Sequence, residues 1–255
     1  MIFFNIIAAS GVTPSNAKDN IIFYIGGQSN AVGTGTGAPP IVYRDAIIGA
    51  RIDINGTFQT LDFGINNKGA SSSDHGIELS FSKDYVAATN RDLYLAKEAV
   101  GGSAIEEIVD EQDWNINSNE LINDLDTAIA RLKIQYDQTV KPKFVFYWNQ
   151  GERDARLSKG NTYYTNLKNI LDRVNAVIPI DLAVITKLRN DLGTNYPDEQ
   201  IVRDAHAQLS MDISYVENLD MMNYTLGGDG LHFTSDAQIQ MGKDILTFCE
   251  TKFNL

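Results

Sequence analysis

The sequence predicts an α/β fold, a parallel sheet of about five strands covered by helices on both faces. Three observations carry that reading. Five short runs of β-branched and aromatic residues have the unbroken hydrophobicity of strands buried on both sides. Between the later runs, apolar residues recur at helical spacing. The two kinds of segment alternate, which calls for crossover connections and parallel pairing.

At 255 residues the chain is long enough to bury a sizeable core, and residues 1–255 are expected to form a single domain. Residues 1–20 read as an N-terminal extension. Its first ten residues are apolar and end in small ones but lack a basic leader, so a short signal remnant and a packed strand both fit. The strand runs cover residues 21–25, 92–96, 143–148, 181–186 and 218–223. Residues 31–91 are rich in Gly, Ser, Asn and Asp and read as a long excursion, with a strand-like piece at 51–54 and a hairpin at Asn55-Gly56. A helix over 118–136 would bury Leu121, Leu125, Ala128, Ile129 and Leu132; one over 162–177 would bury Leu167, Ile170, Leu171 and Val174. A third helix is expected over 198–215. The last opens at Ser235, where Gln238 three residues on suggests a capping box, and its inner face is Ile239, Gly242, Ile245, Leu246 and Phe253.

Composition narrows the partners. The net charge is −12, from 33 acidic and 21 basic residues, a field that repels phosphate backbones and anionic membrane surfaces. No nucleic-acid partner is expected, and no apolar run approaches the length that spans a bilayer. Cys249 is the single cysteine, which rules out an intrachain disulfide and thiolate metal clusters.

Ligands of open α/β folds bind beyond the carboxyl ends of the strands. Three polar clusters fall there: Ser29 after the first strand, Gln150-Gly151-Glu152 after the third, and Asp229 to His232 between the last strand and the last helix. A serine hydroxyl needs a base to become a good nucleophile, and a helix start beside it offers free N–H groups to an oxyanion. Ser29 serves equally well as a helix cap. His232 supplies the missing base. Of His75, His206 and His232, it alone follows an Asp by three residues, a spacing that can hold Nδ1–H and leave Nε2 facing a serine. A loop histidine beside a turn-capping Asp is the plainer alternative.

Other residues carry competing readings. Glu152 and Asp154 resemble a glycosidase carboxylate pair; alternatively Glu152 positions loops while Asp154 caps a turn or pairs with Arg153. His75-Gly76-Ile77-Glu78 has no third metal ligand near it, and His75 is instead a candidate pocket residue. His206 reads as a helix-face residue, Trp148 as core, and Trp114 as a platform for a sugar ring. Gly33 to Ala38 matches a dinucleotide fingerprint, but starts eight residues after Ile25. The serine segment lacks the final Gly of the α/β-hydrolase elbow. A non-catalytic carbohydrate-binding or structural module stays open, because fold alone does not decide activity.

Taken in order, Gly27-Gln28-Ser29-Asn30, Trp148-Asn149-Gln150-Gly151-Glu152 and Asp229-Gly230-Leu231-His232 resemble the SGNH hydrolases, most closely the sialate O-acetylesterase and acetylxylan esterase branch. Gly76-Ile77-Glu78-Leu79-Ser80-Phe81 and Ala99-Val100-Gly101-Gly102-Ser103 agree, and the likeness spans residues 21–242. It implies a three-layer α/β/α, flavodoxin-like sandwich and hydrolysis of O-acetyl esters on carbohydrate such as acetylated xylan or O-acetyl sialic acid. Ser29 would be the nucleophile, His232 the base and Asp229 its orienting acid. The oxyanion hole would use the N–H groups of Ser29 and Gly76, with the Gln150 amide substituting for an Asn of the general pattern, where Arg153 stands. Gln28, Asn30, His75 and Glu152 would support the site or bind substrate. The resemblance implies no metal and no organic cofactor, and a secreted or surface location suits it. Ile77 and Ala31 depart from the usual Pro and Met of the branch.

Overall fold

The apolar run 21–25 becomes the middle of β1 (Asn20–Gly27), buried along nearly its whole length in the computed structural model, which describes residues 18–255. The N-terminal stretch read as a signal remnant or strand lies outside the described residues. β1 is flanked by β4 (Leu93–Ala99) and β5 (Pro142–Asn149), both parallel to it. β6 (Leu182–Lys187) and β7 (Val216–Asp220) extend the sheet from β5.

The sheet has seven strands rather than five, in the order β3-β2-β4-β1-β5-β6-β7. The two extra strands come from the excursion. β2 (Ile47–Ile54) pairs parallel with β4, and β3 (Thr57–Leu61) turns back on β2 as the one antiparallel member. The hairpin falls at Asn55-Gly56, where φ is +51° and +90°, the left-handed pair that a tight hairpin turn requires. β2 hides from a hydrophobicity reading because Gly49, Arg51 and Asp53 interrupt it and its register shifts between Ile47 and Arg51. Asp53 is nevertheless buried; it accepts from Gly56 N–H and from Arg131 Nη1 at 2.9 Å.

The helices form two layers. α2 (Glu78–Thr89) packs on α7 (Ser235–Lys252). α3 (Leu121–Gln138) packs on α5 (Gly160–Val177), which in turn packs on α6 (Glu199–Asp212). Right-handed crossovers place these two sets on opposite faces of a parallel sheet, giving the α/β/α sandwich. A continuous apolar core fills both interfaces.

Three boundaries differ from the sequence reading. β7 ends at Asp220, whose carboxylate accepts from Met222 N–H and turns the chain into a short 3₁₀ segment at Met221–Asn223. The N-cap of α7 is Thr234, whose Oγ1 accepts from Ala237 N–H, and not Ser235. Gln238 makes no capping box; its amide donates instead to Asn30 O at 2.8 Å. Phe253 lies just past the end of α7 and is only partly buried.

The chain runs from β1 to one side of the sheet and later, through α3, crosses to the other. The loops after β1, β4 and β5 therefore open at the point where strand order reverses, the place where sheets of this type hold ligands.

Candidate active site

Ser29 is positioned by the glycines around it. Gly27 has φ of +132°, and a Cβ there would lie 2.0 Å from Asn149 O, so only glycine lets the end of β1 run this close to β5. Gln28 N–H then donates to Asn149 O at 2.9 Å, and Ser29 opens the four-residue helix α1 (Ser29–Val32). Gly33 closes it in the left-handed conformation, its N–H on Ser29 O.

Ser29 lines a cavity of about 330 Å³ together with His232, Gln28 and Glu152. Asp229 lies behind His232: its Oδ2 accepts from Nδ1 at 2.6 Å, and its Oδ1 accepts from the N–H groups of Leu231 and His232. Partial burial opposes ionisation of Asp229, but those N–H donors and the imidazole prevail and hold its carboxyl at about 2. A carboxylate can only accept, so Nδ1 carries the hydrogen, and Nε2 is the ring nitrogen left to face the cavity. Among the described residues neither Nε2 nor Ser29 Oγ has a hydrogen-bond partner; they share the cavity without yet touching.

Asn30 binds the two halves together. Its Nδ2 donates to Glu152 Oε1 at 2.7 Å and to Leu231 O at 3.2 Å, and its Oδ1 accepts from Phe233 N–H. The serine turn and the histidine loop, 201 residues apart at this contact, are thus held by one side chain. Gln28 Oε1 accepts from Gly151 N–H, Arg153 N–H and Gln150 Nε2, which seats the serine turn on the start of α4 (Glu152–Arg156). Glu152 is buried, and burial raises its pKa against the Asn30 bond that favours the carboxylate.

Several residues fall elsewhere than expected. Gln150 is buried and its amide is committed to Asp154 Oδ2 at 2.5 Å, Ser103 O and Gln28 Oε1, so it does not face the cavity. Gly76 N–H is likewise taken, by Glu78 Oε1 at 2.9 Å. His75 is fully buried and does not line this cavity; its Nδ1 meets Gly76 O and its Nε2 meets Ser235 Oγ at 2.8 Å. Asp154 accepts from the N–H groups of Ile105 and Glu106, while Arg153 pairs with Glu111 instead. Trp114 is no sugar platform: it is buried edge-on against Trp148, its Nε1 on Ser103 Oγ. His206 is buried rather than on an open helix face.

The residues that take these places were less visible. Gly101 and Gly102 line the cavity, and a Cβ on Gly101 would lie 3.8 Å from that of Ser29. Among the described residues no acceptor takes the N–H of Ser29, Gly101 or Gly102. Arg153, Arg156 and Tyr196 complete the wall. Gly101 and Gly102 stood in one of the blocks that carry the resemblance but without a role, and for Arg156 and Tyr196 the signal was position alone, beyond the carboxyl ends of β5 and β6.

The fold has known counterparts. A protein from Arabidopsis thaliana aligns with a TM-score of 0.72 at 19% identity, over 92% of this chain and 99% of its own. NanS aligns at 0.67 and 13% identity, over 92% and 99%. A carbohydrate acetylesterase from Xanthomonas citri aligns at 0.58 and 14% identity, over 91% of this chain and 56% of that one. Among curated proteins none matches the chain in sequence. The family model for carbohydrate esterases of the sialic acid-specific acetylesterase type matches residues 19–249, nearly everything from β1 to the end of α7. With this sheet, and with a serine and a carboxylate-held histidine opening on one cavity, the chain belongs to that carbohydrate esterase family and is a carboxylic ester hydrolase.

Proposed function

We propose that this cavity hydrolyses O-acetyl or other short acyl esters of a carbohydrate, with Ser29 as nucleophile, His232 as base and Asp229 as its orienting acid. One observation carries the reading: the bare Nε2 of an Asp229-held imidazole opens on the same cavity as an otherwise unbonded Ser29 hydroxyl. Substrate binding would bring the two into hydrogen-bond contact, as such bonds often tighten only in the complex. His232 then takes the Oγ proton as Oγ attacks the acyl carbonyl, and returns it to the departing sugar hydroxyl. Water, deprotonated by the same nitrogen, then attacks the acyl carbon, and the proton passes to Oγ as the acyl–Oγ bond breaks and the acid leaves. The oxyanion would rest on Ser29 N–H and the free N–H groups of Gly101 and Gly102, in place of Gly76 and Gln150.

The Arg156 guanidinium at the cavity, beside an Arg153 that Glu111 already engages, favours a sugar that bears a carboxylate, such as an O-acetyl sialic acid, over neutral acetylated xylan. Arg156 makes no ion pair among the described residues, so its charge is available to substrate.

The test is acetate release from an aryl acetate, compared with longer acyl esters and with Ser29→Ala as control. The expected result is cleavage by the parent and none by a folded Ser29→Ala. Retained hydrolysis in that variant removes Ser29 from the role, and a parent that binds sugars without cleaving them points to a non-catalytic module. Acetylated xylan against O-acetyl sialic acid, each with Arg156→Ala, then decides the sugar. Acidic-sugar preference predicts a raised KM in the variant for the sialic acid ester alone.

A further inference from the structure

Outside the cavity lining, a fully buried ion pair bears on the serine turn. Lys97, near the end of β4, is 1% exposed and Glu78, the first residue of α2, is 0% exposed; Nζ and Oε2 are 2.8 Å apart. The ammonium has three protons and three acceptors: Glu78 Oε2, Val32 O at 3.0 Å and Asn67 O at 3.3 Å. Val32 is the last residue of α1, the helix that Ser29 opens, and its carbonyl is one of those a helix end leaves unpaired. Glu78 is itself fixed, by Gly76 N–H and by Asn67 Nδ2. A strand, a helix and the 67–76 loop thus converge on one carbonyl of the nucleophile turn.

Desolvation of two charges offsets most of their attraction, so such a pair is a weak source of stability. Its distinct property is direction, because the three protons leave the lysine one arrangement. Asn30 ties the serine turn to the histidine loop, whereas Lys97 ties the same turn to the sheet. We infer that Lys97, held by Glu78, is a positioning residue for Ser29: by anchoring the Val32 carbonyl it sets where the Ser29 hydroxyl stands relative to His232. This rests on the nucleophile role proposed for Ser29 and assigns the Gly76 to Glu78 segment to support of the turn instead of the oxyanion.

The test uses Lys97→Met, the double variant Lys97→Met/Glu78→Gln, and two readouts. One is aryl acetate turnover; the other is the rate at which an aryl phosphonate labels Ser29, followed by intact mass. Lys97→Met strands a buried carboxylate, so the double variant, with no charge left buried, keeps the experiment decisive if the single one does not fold. The expected outcome is a fall of about 10- to 100-fold in both kcat and labelling rate, the scale on which a small misplacement costs rate. KM should stay within about threefold and circular dichroism should match the parent. Glu78→Gln alone, which leaves Lys97 with a weaker partner, should slow labelling by less than the double variant. Labelling and turnover within about twofold of the parent in a folded double variant, whatever its unfolding midpoint, would overturn the inference. A parent that is not labelled at Ser29 overturns instead the reading on which it rests.

Discussion

Asp229 is largely exposed, yet its charge is set by three donors at bonding distance, two backbone N–H groups and the imidazole. Its hold on the imidazole is a matter of geometry. On the proposed mechanism, Asp229→Asn keeps the shape but lets the imidazole take the wrong tautomer, and kcat should fall about 10⁴-fold with the fold unchanged. A loss below about tenfold in steady-state kinetics would take Asp229 out of the site. Gln150 gives the opposite expectation. Its amide is used up inside the protein, so Gln150→Ala should fall short of the 10²–10³-fold rate loss of a missing oxyanion donor. It should instead lower stability by about 1–3 kcal/mol in urea unfolding, because it leaves buried acceptors such as Asp154 Oδ2 short of a donor. The Asp-x-x-His pairing was legible in the sequence because three residues fix it locally. The occupation of Gln150 and Gly76 was not: residues 28 and 103 reach Gln150 only through the fold, and spacing does not reveal that the neighbouring Asp154 and Glu78 turn back onto these donors.

At the scale of elements, α5 and α6 are joined to the end of β5 through a buried relay. Leu188 N–H donates to His206 Nδ1, so the ring hydrogen sits on Nε2 and points to Tyr163 Oη, which in turn donates to Gln150 O at 2.8 Å. Burial, with Arg203 nearby, pushes His206 down to about 3. The unfolded chain binds that proton at the ordinary 6.5, the folded one does not. The contribution is therefore complete above pH 6.5 and is lost as pH falls from 6.5 towards 3. Asp154 works the other way: burial lifts it to about 6, so between 6 and 3.8 the folded state binds the extra proton and gains. Replacing His206 by Gln should flatten the acid-side decline of stability measured by urea midpoints across this window; an unchanged slope would mean that His206 is not the group lost there. Helices α3, α5 and α6 were readable from their periodic apolar residues, as were the five buried strands. Of β2 and β3 only the 51–54 piece and the Asn55-Gly56 hairpin were readable, because Gly and charged residues give the rest the composition of a loop, and only the pairing of β2 with β4 and of β3 with β2 makes them members of the sheet.

Across the whole molecule, the reversal of strand order at β1 gathers the loops after β1, β4 and β5, and Asn30 draws in the loop before α7. Gly27 is where this assembly is tightest. Gly27→Ala would put a methyl 2.0 Å from a backbone carbonyl at φ of +132°, so it should cost more than about 4 kcal/mol in chemical unfolding or yield no folded protein. A variant as stable as the parent would mean that β1 and β5 part easily there. By itself the sequence determined the fold class, five of the seven strands, the order of the motif blocks and Asp229, His232 and Ser29 as candidates, because each follows from local periodicity, short spacing or position after a strand. The tertiary structure alone decided that the sheet has seven strands and that Gly101, Gly102, Arg153, Arg156 and Tyr196 wall the cavity. It also decided that Gln150, Gly76 and His75 spend their hydrogen bonds inside the protein. The physical reason is that a polar group's role depends on which partner satisfies it, and whether that partner is near in sequence, as Glu78 is to Gly76, or far, as Ser235 is from His75, only the folded chain decides.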